Sequence, residues 1–151
     1  MQGDAFLVYF DNPLNATKWC TAVQQALMQI EWPSDLKDSG LSSSATVDIQ
    51  GTDIFRGLRV RMGAHIGVVV SADGAGAATA ADVAKSELLL KTREISDITI
   101  GGQVLISNPL YCTMENHLDE FQVDVCALGC VALDGEQETL PLVQLLPGQL
   151  M

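Results

Sequence analysis

Asp4, in the turn Gly3-Asp4, is the first side chain whose type and place suggest chemistry. A carboxylate held out from a tight turn suits a hard divalent cation. Mg²⁺, however, usually takes two or more anionic ligands, substrate oxygens included. Standing alone, Asp4 is better read as a turn residue. Further along, "GAGAA" (74–78) has the look of a phosphate-binding loop, but it lacks GxGxxG spacing, a P-loop lysine and a preceding strand of dinucleotide-binding type. Close packing or flexibility is its expected role. His65 lies in a strand-like run and reads as structural, and His117 lies in a polar loop without triad partners. Arg59 and Arg61 share one strand face, as solvated or interface charges would. Cys20, Cys112, Cys126 and Cys130 follow neither a redox CxxC nor a zinc pattern. Packed, reduced thiols in a reducing, intracellular compartment are expected.

The elements that must position these groups follow from hydrophobic spacing. Ala5–Phe10 is short, apolar and aromatic-rich, as a buried strand would be. Asn12 suits a helix N-cap and Pro13 the first helical turn. From Leu14, apolar residues recur as Ala16, Trp19, Cys20, Val23, Ala26, Leu27 and Ile30, which predicts a helix ended by Trp32-Pro33. Residues 34–52 read as a polar surface loop. Leu58, Val60 and Met62 alternate with Arg59 and Arg61, predicting a strand that runs toward Ile66 and Val70. A Gly/Ala/Thr connection leads into a helix over about 82–95, then a strand over 103–107 and a helical turn at Asn108-Pro109. A hairpin closes the chain, with strands over 121–133 and 139–146 and a turn at Asp134-Gly135. The order β-α-β-α-β-(α)-β-β predicts an α/β sandwich of helices on a sheet.

With 151 residues, one domain with a sizeable core is the natural expectation. Nineteen acidic residues against eight basic ones give a net charge of −11. Such a surface repels nucleic acid and anionic membranes, and offers a nucleotide's phosphates no help without bound cations. No stretch approaches the ~18 apolar residues of a membrane span, so no insertion by this chain is expected. Nothing after Met1 resembles a targeting peptide.

Four segments together resemble the catalytic domain of class III adenylyl/guanylyl cyclases: "GDAFLVYF" (3–10), "FRGLRVRMGAHIG" (55–67), "GGQVLIS" (101–107) and "LDGEQETLPLVQLLP" (133–147). "WCTAVQQALMQIEWP" (19–33) is similar to the family's following helix, above all in adenylyl cyclases of fungal type. The resemblance runs nearly end to end. It implies α/β (α+β) architecture, a ferredoxin-like cyclase-homology sandwich, with residues 1–151 forming a single partial domain. The family's N-terminal strand and helices would be missing upstream of the Gly-Asp turn. That first strand lies centrally in the family sheet, antiparallel and between the strands matched here by 5–10 and 58–64.

Family cyclases hold two metal ions on two aspartates. The reason is physical: phosphoryl chemistry on a highly anionic substrate needs concentrated positive charge at the reacting oxygens. Asp4 matches the second aspartate, and the first would lie on the missing strand, so Asp4 is expected to be a vestigial metal position. The family also uses an Asn and, four residues on, an Arg, to orient the ribose and to stabilise charge on the phosphates. Aligned on Val83, "AADVAKSELLL" places Ala84 at the Asn position and Leu88 at the Arg position, and neither side chain can do that work. In other registers Lys85, Lys91 or Arg93 are the available cations, but no Asn lies between Val83 and Gly101. The "DYxG" run that helps read the purine is replaced by Gly, Ala and Thr.

The resemblance therefore implies a degenerate cyclase-homology domain without turnover or cofactor, acting as a structural subunit. Its partner would be a protein, another cyclase-like chain included, that completes the sheet, unless an upstream part of the same polypeptide fills the slot. The alternative is half of a split or heterodimeric cyclase that converts ATP or GTP with Mg²⁺ or Mn²⁺. An open central slot leaves some five or six ladder bonds unmade, at roughly 0.5–1.5 kcal/mol each, which rivals the stability of a small domain. The chain alone should accordingly show no cooperative monomeric unfolding transition when its mass and its melting are followed together.

Overall fold

The computed structural model describes residues 5–37, 46–47, 50–51, 53–55, 57–72, 74, 76–132 and 139–147. Helix α1 (Pro13–Gln29) starts where Asn12 accepts the Leu14 amide on its side-chain oxygen at 2.8 Å, with Pro13 in the first turn. It ends at Gln29, with Ile30 as C-cap, shortly before the expected Trp32-Pro33, and Trp32 Nε1 donates back to Leu27 O at 2.9 Å. The supposed loop over 34–52 holds more order than its polarity suggested. It contains a short helix α2 (Ser34–Lys37) and strand β1 (Thr46–Val47), antiparallel to β2 (Asp53–Phe55).

Four further strands form the main sheet: β3 (Met62–Ala64), β4 (Val104–Ser107), β5 (Val123–Ala132) and β6 (Thr139–Pro147). Their order is β3-β4-β6-β5, with β3 parallel to β4 and the other pairs antiparallel. Between β3 and β4 the chain forms α3 (Ala80–Ala84) and α4 (Glu87–Ile98), and after β4 it forms α5 (Asn108–Met114), a 3-10 turn and α6 (Leu118–Phe121). The one helix expected over 82–95 is thus two. Ser86 breaks it by acting as the N-cap of α4, its hydroxyl donating to Val83 O and accepting from Leu89 N. Among the described residues no helix is long and apolar enough to cross a membrane.

Alternation along the strands builds two apolar layers. Met62, Val104, Ile106, Val143 and Leu145 face α1, α5 and α6 through Cys20, Leu110, Met114 and Phe121. On the opposite face Leu105 and Leu142 pack against Ile95 of α4. Strand β4 is buried along its whole length, as a strand covered on both faces must be. The buried side of α1 is unexpectedly polar, with Thr17, Thr21 and Gln24 beside Cys20. The hydroxyls of Thr17 and Thr21 donate to carbonyls one turn back, so neither is left unsatisfied. Trp19 and Ile30, from the apolar stripe of the same helix, are exposed.

Two predicted strands are not strands. Residues 5–10 join no ladder among the described residues, and Phe6, Leu7, Val8, Tyr9 and Phe10 are all exposed, Phe6 at 91%. The alternating run from Leu58 enters a ladder only at Met62, and Leu58, Val60, Val68 and Val70 are exposed. Both departures have one cause. Strand geometry needs a neighbour to hydrogen-bond, and no strand of the described residues lies on the outer edge of β3. The hairpin turn expected at Asp134-Gly135 lies outside the described residues.

Cysteine placement also departs from expectation. All four are free, but only Cys20 is packed, while Cys112, Cys126 and Cys130 are exposed. The bulge between Ala127 and Gly129, with Gly129 at φ +82°, sits where β5 has no helix against it, which leaves its small residues uncovered.

Helix α4 meets β3 at Gly63. A methyl there would stand 2.5 Å from Ser96 N and 2.8 Å from Ser96 Cα, both backbone atoms that cannot yield alone. At Gly67 the nearest atoms a methyl meets belong to the Leu88 side chain, Cδ1 first at 3.2 Å, the end of a flexible side chain. Gly63→Ala should therefore lower unfolding stability by about 1–3 kcal/mol, and Gly67→Ala by clearly less, as measured by denaturant titration.

Candidate functional site

The site to examine lies where β3 runs out into 65–72, under the start of α4. His65 leaves β3 on the α4 side and is half-buried. Its Nδ1 shares a 2.7 Å hydrogen bond with Ser107 Oγ, at the end of β4. That spacing is one a nucleophile and its base would have. Ser107, however, is fully buried, so no substrate carbonyl can approach its oxygen. The pair ties β3 to β4 beyond the last ladder bond, and it is the polar contact that sequence spacing could not announce.

Above His65, Glu87 Oε1 and Lys91 Nζ are 2.8 Å apart, one turn of α4 from each other. Lys91 holds the Glu87 carboxylate below its usual range, chiefly by hydrogen bonding. Burial pushes the His65 imidazole below its ordinary 6.5; nearby Lys91 adds to this and Glu87 opposes it. The available charges here are thus largely spent on one another.

Beside this cluster an open depression of about 310 Å³ lies between residues 68–72 and 81–86. Its carboxylate, Asp82, is committed to a capping box. Thr79 N and Thr79 Oγ1 donate to Asp82 Oδ2 at 2.8 and 2.7 Å, and Ala72 N donates to Oδ1 at 3.3 Å. These bonds, the Thr79 hydroxyl first, lower the Asp82 pKa. The glycines before it are not packing devices. At Gly74 and Gly76 an added side chain would meet nothing within 4 Å, and Gly74 serves its φ of +67°.

Ala84 ends α3 and is exposed; Leu88 lies in the first turn of α4, half-buried over Gly67. The break at Ser86 separates them, so the four-residue spacing does not put both on one helical face. Lys85 borders the depression near Asp82, and Lys91 is paired with Glu87. Asp4 lies outside the described residues. Cyclase chemistry implies two metal ions held on two aspartates; among the described residues, which do not include Asp4, no group of three His, Cys, Asp or Glu side chains converges.

The run leading into β3 carries the other distinctive geometry. Gln24, buried on α1, donates from Nε2 to Val60 O at 2.7 Å, and Gly102 N donates to the same carbonyl at 3.1 Å from the β4 side. A helix side chain and a turn amide thereby fix the approach to β3. The Phe10 and Trp19 rings lie 6.0 Å apart at 49°, the contact that keeps 5–10 beside α1.

Folding holds His65 neutral to a lower pH than unfolding does, so the unfolded chain takes up its proton first as pH falls. The stability this contributes is complete above 6.5 and is lost on acidification through the depressed folded value. His65→Asn, whose side-chain amide can replace Nδ1 at Ser107, should flatten the fall in melting temperature between about pH 7 and pH 5.

No protein-family model matches the chain. The adenylate cyclase of Podospora anserina is 32% identical to it over 121 residues, covering 80% of this chain and 6% of that protein. The adenylate cyclase of Mycosarcoma maydis is 34% identical over 139 residues, covering 92% of this chain and 5% of that one. The chain thus spans a small fraction of the curated relatives it matches. A solved adenylate cyclase from Trypanosoma brucei, studied in its monomeric state, superposes with a TM-score of 0.66 at 23% identity, covering 89% of this chain and 63% of that one. The likeness to that structure speaks to fold; with the matches in sequence, it agrees with the motifs at 55–67 and 101–107. The chain belongs, as a partial domain, to the class III adenylyl/guanylyl cyclase catalytic-domain family.

Proposed function

We propose that this chain is a catalytically inactive cyclase-homology domain, serving as an assembly subunit whose open sheet edge is completed by a cyclase-like protein partner. The observation that carries this reading is the state of the transition-state positions. Ala84 and Leu88 offer neither the amide that orients a ribose nor the guanidinium that stabilises phosphate charge, and they sit on separate helices. A register shift does not recover the pair, because no Asn lies between Val83 and Gly101. Loss of one transition-state donor costs about 10²–10³ in kcat in comparable sites, and here both are absent. A net charge of −11 adds repulsion toward a triphosphate.

What the chain keeps is the part of the family pattern that packs. Gly63 admits the backbone of α4, and the "GGQVLIS" turn and strand fill the centre of the sheet. Selection on an interface accounts for a scaffold retained without its chemistry. The expected outcome is that the chain, given ATP or GTP with Mn²⁺, yields no cyclic nucleotide above the blank by mass spectrometry. Turnover by the chain alone would refute inactivity. Turnover that needs a second chain and is abolished by Asp4→Ala would replace this reading with the split cyclase.

A further inference from the structure

We propose that His65 and Ser107 form a proton-operated latch: the neutral imidazole holds the end of β3 to the end of β4, and a proton on the ring opens that junction into residues 65–72 and the first turn of α5. Such a latch would work in an active cyclase and in an inactive one alike. The direction of one hydrogen bond makes it possible. Ser107 is fully buried, and its Oγ lies 2.7 Å from His65 Nδ1. Ser107 also stands at the N-cap of α5, yet its side chain makes no cap bond there. The first turn of a helix offers N–H donors and no acceptor, so the hydroxyl hydrogen finds no place on it. Among the described residues Nδ1 is the one partner that the hydroxyl has. A buried O–H in this position is satisfied by donating to Nδ1, which puts the proton of the neutral ring on Nε2.

A second proton on the ring undoes that arrangement. It binds Nδ1, which then donates to Ser107 Oγ, and the hydroxyl hydrogen loses its acceptor inside the protein. Burial of the ring already pushes the imidazole below its ordinary 6.5, so the latch is closed above that pH and opens as pH falls through the depressed value. Two charged groups face the ring, both on α4: Lys91 opposes the imidazolium and Glu87 favours it. Residues 62–64, 66–72, 101–107 and 108–114 carry no charged side chain. Glu87 is largely exposed, so its carboxylate can turn from Lys91 to the imidazolium without leaving water. The charged ring is thereby drawn away from β4 and toward α4. Nothing in the ladder resists this, because the last paired residues of β3 and β4 are Ala64 and Ile106. Residues 68–72, which follow the junction, form one wall of the depression beside α3.

The test is an NMR titration of the 151-residue chain from about pH 8 to about pH 5, following both imidazole nitrogens, with His117→Gln to assign the two histidines. At the alkaline end His65 should carry its proton on Nε2. On acidification it should titrate below 6.5, and amides within 65–68, 86–91 and 107–110 should shift with the same midpoint while those of β5 do not. Ser107→Ala should move the midpoint up toward 6.5, since no hydroxyl is then stranded, and Glu87→Gln should move it down. Amide hydrogen exchange within 65–68 and 107–110, corrected for its intrinsic pH dependence, should quicken on acidification in the parent chain and not in His65→Asn. A neutral ring protonated on Nδ1, a midpoint unmoved in Glu87→Gln, or amides of α4 and α5 that do not follow His65 would each overturn the latch. Glu87 lies on the surface, so Glu87→Gln keeps the test decisive even where Ser107→Ala fails to fold.

Discussion

Backbone hydrogen bonding on one side of β3 is the constraint from which most of this structure follows. Met62, Gly63 and Ala64 are paired inward to Val104, Leu105 and Ile106, and the outward groups meet no strand among the described residues. An amide or carbonyl buried without a partner is costly, so the chain near that edge stays where water can reach it. This is why residues flanking β3 on both sides are exposed although they are apolar. Gln24, on the inner face of α1, is buried with its amide satisfied by Val60 O, a carbonyl that also accepts from Gly102 N on the β4 side.

Away from the edge the ordinary logic of an α/β layer holds. Strand β4 is buried along its length, and Val104, Ile106, Leu142 and Leu145 of β4 and β6 are fully enclosed at the centre of the core. The chain is therefore divided in kind rather than into domains. Its centre is packed to the standard of a finished protein, and one margin is not. Exposed apolar surface gathered at a margin, rather than scattered, marks an interaction face. The five exposed side chains from Phe6 to Phe10 are too consecutive to be the scattered leucines of an ordinary surface.

Sequence alone made the local features legible and missed the features that depend on a distant neighbour. Helix α1 could be read because Asn12, Pro13 and Trp32 act within a few residues of themselves. Strand β4 could be read because both its faces are covered, and β5 and β6 because hairpin strands pair across a short stretch of sequence. The strand expected at 5–10 has the right composition but not the partner, and composition reports only willingness to pair. The break at Ser86 was hidden because "ADVAKSELL" reads as continuous helix unless serine is recognised as a cap rather than an interior residue. At the site, Ala84 and Leu88 were legible as side chains that carry neither an amide nor a guanidinium, whatever their geometry. The compensating contacts were not: Ser107 with His65, and Gln24 with Val60, join residues 42 and 36 positions apart.

The glycines in the motifs that carry the family likeness have packing roles visible in the structure. In "RMGAHIG" the invariant demand is at Gly63, where any side chain would strike the backbone of α4. In "GGQVLIS" Gly102 adopts φ +93° and lies against the Phe55 ring, a conformation and a contact that a side chain would both oppose. Gly57, at φ +77°, likewise supports the Trp32 indole. These glycines set how closely helix, turn and strand approach, and they do so whether or not a nucleotide ever binds. A cyclase domain can shed its phosphate-handling side chains and keep them, because losing chemistry leaves the fold intact while losing a close approach does not. Gly57, Gly63 and Gly102 are positions in these motifs where a side chain would meet a neighbouring backbone or ring.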